Sequence, residues 1–146
     1  ENMYSTENLR LINVKKHLSG LVSDIISSYG LEKEVNLKLN IIDEEFSIKT
    51  LLPLSLIVNE VVTNTLKHAF VNQEKGSIIL ELKKTTNQDF IMIIGDNGIG
   101  FHPLIKSSGL GTKLIKIFSR QLNGHIKLLE KEGAFYELKF KVENEI

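Results

Sequence analysis

The chain of 146 residues contains no cysteine. That excludes a disulfide framework, a thiolate metal site and a thiol nucleophile, and it fits a cytoplasmic location. Its 18 basic and 18 acidic side chains cancel to a formal net charge of zero. There is no global basic field for nucleic acid and no acidic tail. No run of about 18 apolar residues occurs, so no membrane contact is expected within the chain. No signal peptide is visible. What remains is ordinary for a globular protein, with 42% hydrophobic and 25% charged residues. A chain of this length buries roughly 70% of the surface its unfolded form exposes. A single domain over residues 1–146 is expected. The start at Glu1-Asn2-Met3 reads as the inside of a helical lead-in, which suggests a fragment of a longer protein.

Leu9, Ile12, Val14, Leu18, Leu21, Val22, Ile25 and Ile26 recur at mostly helical spacing. The spacing predicts a helix from about Val14 to Tyr29, capped by Asn13 and ending near Gly30. Val35–Ile41 alternates as a strand. Asp43-Glu44-Glu45 reads as a turn, with Phe46-Ser47-Ile48 returning as a short strand. Pro53 fits the first turn of the next helix. Ser77–Lys84 alternates again, and Phe90–Ile94 is a continuous apolar strand that reads as central. Leu110–Leu122 reads as a helix stopped by Asn123-Gly124. His125–Glu130 and Phe135–Val142 form a closing pair across a Lys131–Gly133 turn. The fold class predicted is α+β, a two-layer α/β sandwich. Its sheet is mixed and mostly antiparallel, with helices on one face.

Asn59–Phe70, N-E-V-V-T-N-T-L-K-H-A-F, carries polar residues that its apolar character does not require. At about 100° per residue, Leu54, Val58, Val61, Val62, Thr65 and Leu66 share a broad arc. Glu60, Asn64, Lys67 and His68 share the neighbouring one. Glu60 and Asn64 offer oxygens to a metal ion, and Lys67 offers charge to phosphates. Taken alone, such a stripe also describes a solvated helix face with an i,i+4 pair.

Two glycine clusters give the stripe a ligand to face. Five of the ten glycines lie between Gly95 and Gly111. The first cluster, I-I-G-D-N-G-I-G-F over Ile93–Phe101, follows the apolar strand and contains Asp96, Gly98 and Gly100. The buried run before Asp96 draws its carboxylate inward, where it needs donors. The exocyclic amine of a purine would supply one. The second cluster, Ser107–Thr112, places Gly109, Leu110, Gly111 and Thr112 before a helix. Free N–H groups and the positive helix end make that an anion site. Glycine in both clusters admits positive φ and close backbone approach. Neither a P-loop nor a dinucleotide fingerprint is present.

A polar-striped helix, D-x-G-x-G after a strand and G-x-G before a helix stand here in that order. Together they resemble the ATP-binding catalytic domain of sensor histidine kinases, in the Bergerat-type group shared with gyrase B, Hsp90 and MutL. Asn59, Glu60, Thr63, Asn64, Lys67, His68, Ala69 and Phe70 match the box of a subgroup with a short ATP lid. The lead-in M-Y-S-T-E-N-L and L-P-L-S-L-I before the box are similar too. The resemblance spans almost the whole chain and implies ATP and Mg2+ as ligands. It implies Asn64 as the magnesium ligand and Glu60 as a general base or a partner of the metal through water. Lys67 and His68 are implied in phosphate contact, with Glu60 and Lys67 as the catalytic pair. Asp96 is implied to accept from the adenine amino group, and Gly98 and Gly100 to shape the pocket and lid hinge. Gly109, Leu110, Gly111 and Thr112 are implied in phosphate binding.

Departures are also visible. Ala134 follows Gly133 where the family often has threonine, whose hydroxyl joins a water beneath adenine. Thr112 stands where leucine is common. The segment Phe101–Ser108 leaves no room for a long lid with a phenylalanine box. Phe101 either walls the pocket or is plain packing.

The phosphoacceptor is absent. None of His17, His68, His102 and His125 stands in an H-x-x-K-N-N context. The resemblance therefore implies a partner, the acceptor-histidine helix of the same protein or its dimer mate, placed before Glu1. It also implies a response regulator as the downstream receiver, a monomeric fragment and a cytoplasmic part of a sensor. Lys113, Lys116 and Arg120 share one helix face that either steers phosphates or a receiver domain, or is simply solvated. Rival expectations are an anti-sigma-factor-type serine kinase, a MutL-like clamp ATPase and a degenerate nucleotide-sensing scaffold.

Overall fold

The computed structural model describes residues 10–29, 34–69, 75–97, 110–131 and 133–142. Strand β1, Leu11–Asn13, leads directly into helix α1, Val14–Ser28. Asn13 caps that helix as the sequence predicts, its side chain accepting from the Lys16 backbone N–H at 2.9 Å. Its amide nitrogen also donates to Asp43 at 2.7 Å. Val14, Leu18, Val22 and Ile25 are buried, the i, i+4, i+8, i+11 spacing of a helix covering a core.

Strand β2, Glu34–Ile41, and the short β3, Glu45–Ser47, precede helix α2, Ile48–Asn64. Two expectations are corrected here. The short return strand spans Glu45–Ser47, one residue earlier than Phe46-Ser47-Ile48. It pairs antiparallel with β1, Ile12 opposite Phe46, in a separate two-stranded sheet. Burial decides this: Phe46 is 2% exposed and inserts between helices and sheet. Ile12, read above as part of a helical pattern, is therefore a strand residue. Pro53 also lies deeper in α2 than its first turn, because the helix begins directly after β3. Inside a helix, proline removes one i→i−4 hydrogen bond. Pro53 is buried in the core all the same.

The main sheet has the order β2-β4-β5-β7-β6, with β4 at Lys75–Lys84, β5 at Asp89–Asp96, β6 at His125–Lys131 and β7 at Gly133–Lys141. Only β2 and β4 run parallel, so the sheet is mixed and mostly antiparallel. β5 is the central strand, as its apolar run suggests. Ile78, Leu80, Leu82, Met92, Ile94, Leu138 and Phe140 are buried along one face, and, Gly95 apart, their neighbours in each strand are more exposed. Helices α1, α2 and α3, the last at Leu110–Gln121, cover that face. The result is the expected two-layer α+β sandwich.

The end of α3 follows the stop pattern in detail. Asn123 takes the left-handed φ of 52°. Gly124 N–H reaches Ser119 O at 2.9 Å and Asn123 N–H reaches Arg120 O at 3.0 Å, the paired bonds of a Schellman motif. Gly124 is needed for space: a Cβ there would meet Lys139 O at 2.9 Å.

Candidate functional site

The C-terminal end of β5 carries a carboxylate into the core. Asp96 is 3% exposed and follows the buried residues Ile94 and Gly95. A buried carboxylate must be met by donors. Thr65 is one of them: its Oγ1 donates to Asp96 Oδ2 at 2.9 Å, and Thr65 itself is 4% exposed. The next residue, Asn97, fixes the strand end. Its Oδ1 accepts from Ser77 N–H at 2.7 Å, and its own N–H donates to Ser77 O at 3.2 Å. The chain therefore leaves the sheet at a defined point, directly after Asp96.

Helix α2 lies over this strand end. Leu54, Val58, Val61, Val62, Thr65 and Leu66 are buried, as the wheel predicts. Glu60 and Asn64 are half-buried and Lys67 is exposed. The stripe is therefore a graded edge of the core rather than a fully solvated face. The helix changes pitch immediately after Asn64, where Thr65–Ala69 form a π-helical turn. Such turns are rare and often mark functional positions. A fixed step of about 100° per residue does not hold through it, so Lys67 is displaced from the arc it shares on an ideal wheel with Glu60 and Asn64.

Tyr136 on β7 completes the cluster. It lies opposite Ile94 and is 9% exposed. Burial, then the Glu60 carboxylate, then the Asp96 carboxylate push its phenol up from 10.0 to about 12. The phenol therefore stays neutral across the ordinary pH range, with the Glu60 and Asp96 carboxylates near enough to act on it. Between pH 10 and about 12 the unfolded chain releases this proton while the folded chain keeps it. The contribution of this group is constant below that window, and about 2–3 kcal/mol of stability is lost as pH rises through it. Tyr136→Phe is expected to flatten that fall, read as unfolding free energy from urea melts. A mutant profile as steep as the wild type's refutes it.

Thr65 and Tyr136 are the residues that sequence reasoning missed here. The sequence pattern puts Thr65 on the core arc and Tyr136 in a closing strand and marks no role for either. A signal exists for each: a threonine on an apolar helix face, and a tyrosine in the inward phase of a strand, both need hydrogen-bond partners.

Several predicted residues fall beyond what is described. Gly98, Gly100, Phe101, His102 and Gly109 lie outside the described residues, as does the His68 side chain. Leu110, Gly111 and Thr112 form the first turn of α3, as predicted, and that helix packs against α2. Among the described residues no group of three or more His, Cys, Asp or Glu could hold a metal. No described helix is long and apolar enough to cross a membrane. A cavity of about 750 Å³ lined by Thr85, Asp89, Asn123 and Lys141 lies at the start of β5. Asp96 is at the other end of that strand, about 24 Å away at 3.4 Å per residue.

Residues 50–144 match the family described as histidine kinase-, DNA gyrase B- and HSP90-like ATPases. The chain belongs to this family. The matched region takes in the polar half of α2, Asp96, α3 and β7. As a histidine kinase-, gyrase B- and HSP90-like ATPase domain, the chain is ATP-binding by class. Solved structures of similar shape include histidine kinases. The histidine kinase domain of a blue-light activated histidine kinase from Erythrobacter litoralis superposes with a TM-score of 0.80 at 19% identity, over 88% of this chain and 61% of that one. A longer chain of the same photoreceptor gives 0.77 at 19% identity, over 88% of this chain and 45% of that one. A mycobacterial sensor histidine kinase, MprB, gives 0.70 at 13% identity, over 90% and 97%. At these identities the likeness establishes the fold. No curated protein matches the chain.

Proposed function

We propose that this domain binds Mg-ATP and donates the γ-phosphoryl group to a histidine on an acceptor helix, within a two-component signalling kinase. The observation that carries the reading is the buried Asp96–Thr65 pair at the end of β5, beneath the half-buried Glu60 and Asn64 of α2. In this reading Asp96 accepts from the adenine amino group, a charge-assisted bond. Gly98 and Gly100 shape the pocket. The first turn of α3, with Leu110, Gly111 and Thr112, receives the phosphates through N–H groups, joined by Gly109 just before it in the sequence. Lys67 and His68 approach the phosphate chain from the π-helical turn.

The donor set fits magnesium. Asn64 and Glu60 stand four residues apart on α2, both half-buried. Magnesium takes few protein oxygens and keeps water and phosphate as its other ligands. Asn64 would hold the ion, and Glu60 would act through water or as a base. When bound, the ion neutralises charge on the phosphates. Phosphoryl transfer otherwise depends on positioning. The residues of this chain orient the triphosphate, and the receiving imidazole comes from the acceptor helix. A response regulator then takes the phosphoryl group.

Two measurements test this. Titration of a fluorescent ATP analogue should show tighter binding with magnesium than without. Asn64→Ala should reduce that magnesium enhancement about tenfold, as loss of a metal-site group does. An unchanged enhancement removes Asn64 from the metal. Incubation with γ-labelled ATP and an acceptor-helix protein should give acid-labile phosphate, the mark of phosphohistidine. Acid-stable label would assign a serine kinase instead.

A further inference from the structure

Besides β4, where the apolar Ile78 stands opposite it, Asp96 is flanked by two elements that could steady its carboxylate. One is strand β7, where position 134 stands directly opposite Asp96 in the register. That position is alanine and brings no hydroxyl. The other is the start of the π-helical turn, where Thr65 brings one. A helical threonine commonly turns its hydroxyl back to a carbonyl one turn earlier. Thr65 instead gives its single hydroxyl proton to Asp96 Oδ2 at 2.9 Å, 31 residues away in sequence and within the core.

This commitment has a consequence for ligand choice. A carboxylate has about four lone-pair sites, so one hydroxyl does not exhaust it. What the hydroxyl does is restrict its rotation. A fixed carboxylate holds its remaining lone pairs in set directions, so a donor must come to them. A 6-amino purine presents its donor at the exocyclic position. A 6-oxo purine presents an acceptor there and its donor one ring atom away, at N1. A carboxylate free to turn can follow the donor from one place to the other.

We propose that Thr65 is the positioning residue that sets nucleobase choice in this site, holding Asp96 so that it accepts from a 6-amino purine and not from a 6-oxo purine. The proposal rests on the ATP reading above. It differs from a purely structural role for Thr65, which would weaken all nucleotides alike.

The experiment compares ATP with inosine triphosphate, which carries a 6-oxo group and an N1–H in place of the 6-amino group and the N1 acceptor. Affinities are measured by calorimetry for the wild type, Thr65→Ser, Thr65→Val, Ala134→Thr in the Thr65→Val background, and Asp96→Asn. Thr65→Val is expected to lose about tenfold in ATP affinity and less than about threefold for inosine triphosphate, narrowing the preference. Thr65→Ser keeps both affinities within about twofold, since the hydroxyl remains. Ala134→Thr restores most of the preference, because residues opposed across antiparallel strands have Cβ atoms about 4.5–5.5 Å apart, within reach of a hydroxyl. If Thr65→Val does not fold, Thr65→Ala carries the same expectation.

Equal loss of both nucleotides, or an unchanged preference, overturns the proposal. So does a double mutant no better than Thr65→Val. If Asp96→Asn abolishes ATP binding while Thr65→Val matches the wild type, only the role of Thr65 fails. If the wild type binds neither nucleotide, the ATP reading fails and this proposal with it.

Discussion

Asp96→Asn is expected to weaken ATP binding by about 30- to 100-fold while leaving the fold intact. The carboxylate stands buried at the end of the central strand, with Thr65 donating to Oδ2. An ionised acceptor accepts from Thr65 and from an adenine amine at once. The amide cannot do both as well. If its oxygen faces Thr65, its NH2 opposes the amine, donor against donor. If it turns over, Thr65 is left opposite a donor. Either way one buried donor goes unmatched, at about 1–3 kcal/mol, and the charge assistance is lost as well. Calorimetry with ATP measures the affinity, and urea melts check the fold. Affinity within about threefold of the wild type would reject Asp96 as the adenine acceptor. A second readout is independent of nucleotide. The Asp96 charge is one of the causes that raise the Tyr136 phenol. Its removal should therefore lower the midpoint of the tyrosinate absorbance titration.

The parts of the fold that could be read from the sequence are those whose cause is local. Alternation in Ser77–Lys84 places Ile78, Leu80 and Leu82 on one face, and all three are buried. The Asn123-Gly124 stop and the Asn13 cap rest on hydrogen bonds within a few residues, so their chemistry is visible in the residues themselves. The pairing of β1 with β3 was not visible. Each strand has three residues, too few to show a period, and their partnership is set by where Phe46 is buried. The same holds for Pro53, whose place in α2 depends on β3 ending at Ser47.

At the site the division is similar. Glu60, Asn64 and Asp96 are polar residues bordering apolar runs, and their placement against the core follows from that pattern. The Thr65–Asp96 bond joins residues 31 apart and has no sequence signature. The π-helical turn has none either: Thr65–Ala69 contains no glycine or proline to announce a change of pitch. The wheel that grouped Lys67 with Glu60 assumes an ideal helix, and the turn breaks that assumption where function is proposed. Irregular turns of this kind are where rules built on regular elements are expected to fail.

Phe46→Ala should have the largest effect on stability and little on the nucleotide affinity of folded molecules. Phe46 is 2% exposed, and its ring meets Phe90 edge-on at 5.1 Å and Phe140 at 6.3 Å. Phe90 and Phe140 stack at 5.6 Å. The three rings join β3 to β5 and β7. Truncation leaves a cavity among side chains already held by their neighbours, at about 3–5 kcal/mol. Domains are typically stable by about 5–15 kcal/mol, so this is a large share. At about 2–4 °C per kcal/mol, a chain of this size should lose about 6–20 °C in Tm. Phe46→Leu, nearer in volume, should cost much less. The cluster lies by the start of α2 and the start of β5, whereas Glu60, Asn64 and Asp96 lie towards the far ends of the same elements. The folded fraction should therefore keep its affinity, and saturating ATP should raise the mutant Tm by mass action as it does the wild type's. If Phe46→Ala instead lowers ATP affinity at temperatures where the protein is fully folded, α2 does not act as a rigid link, and the site depends on how β3 seats its first turn.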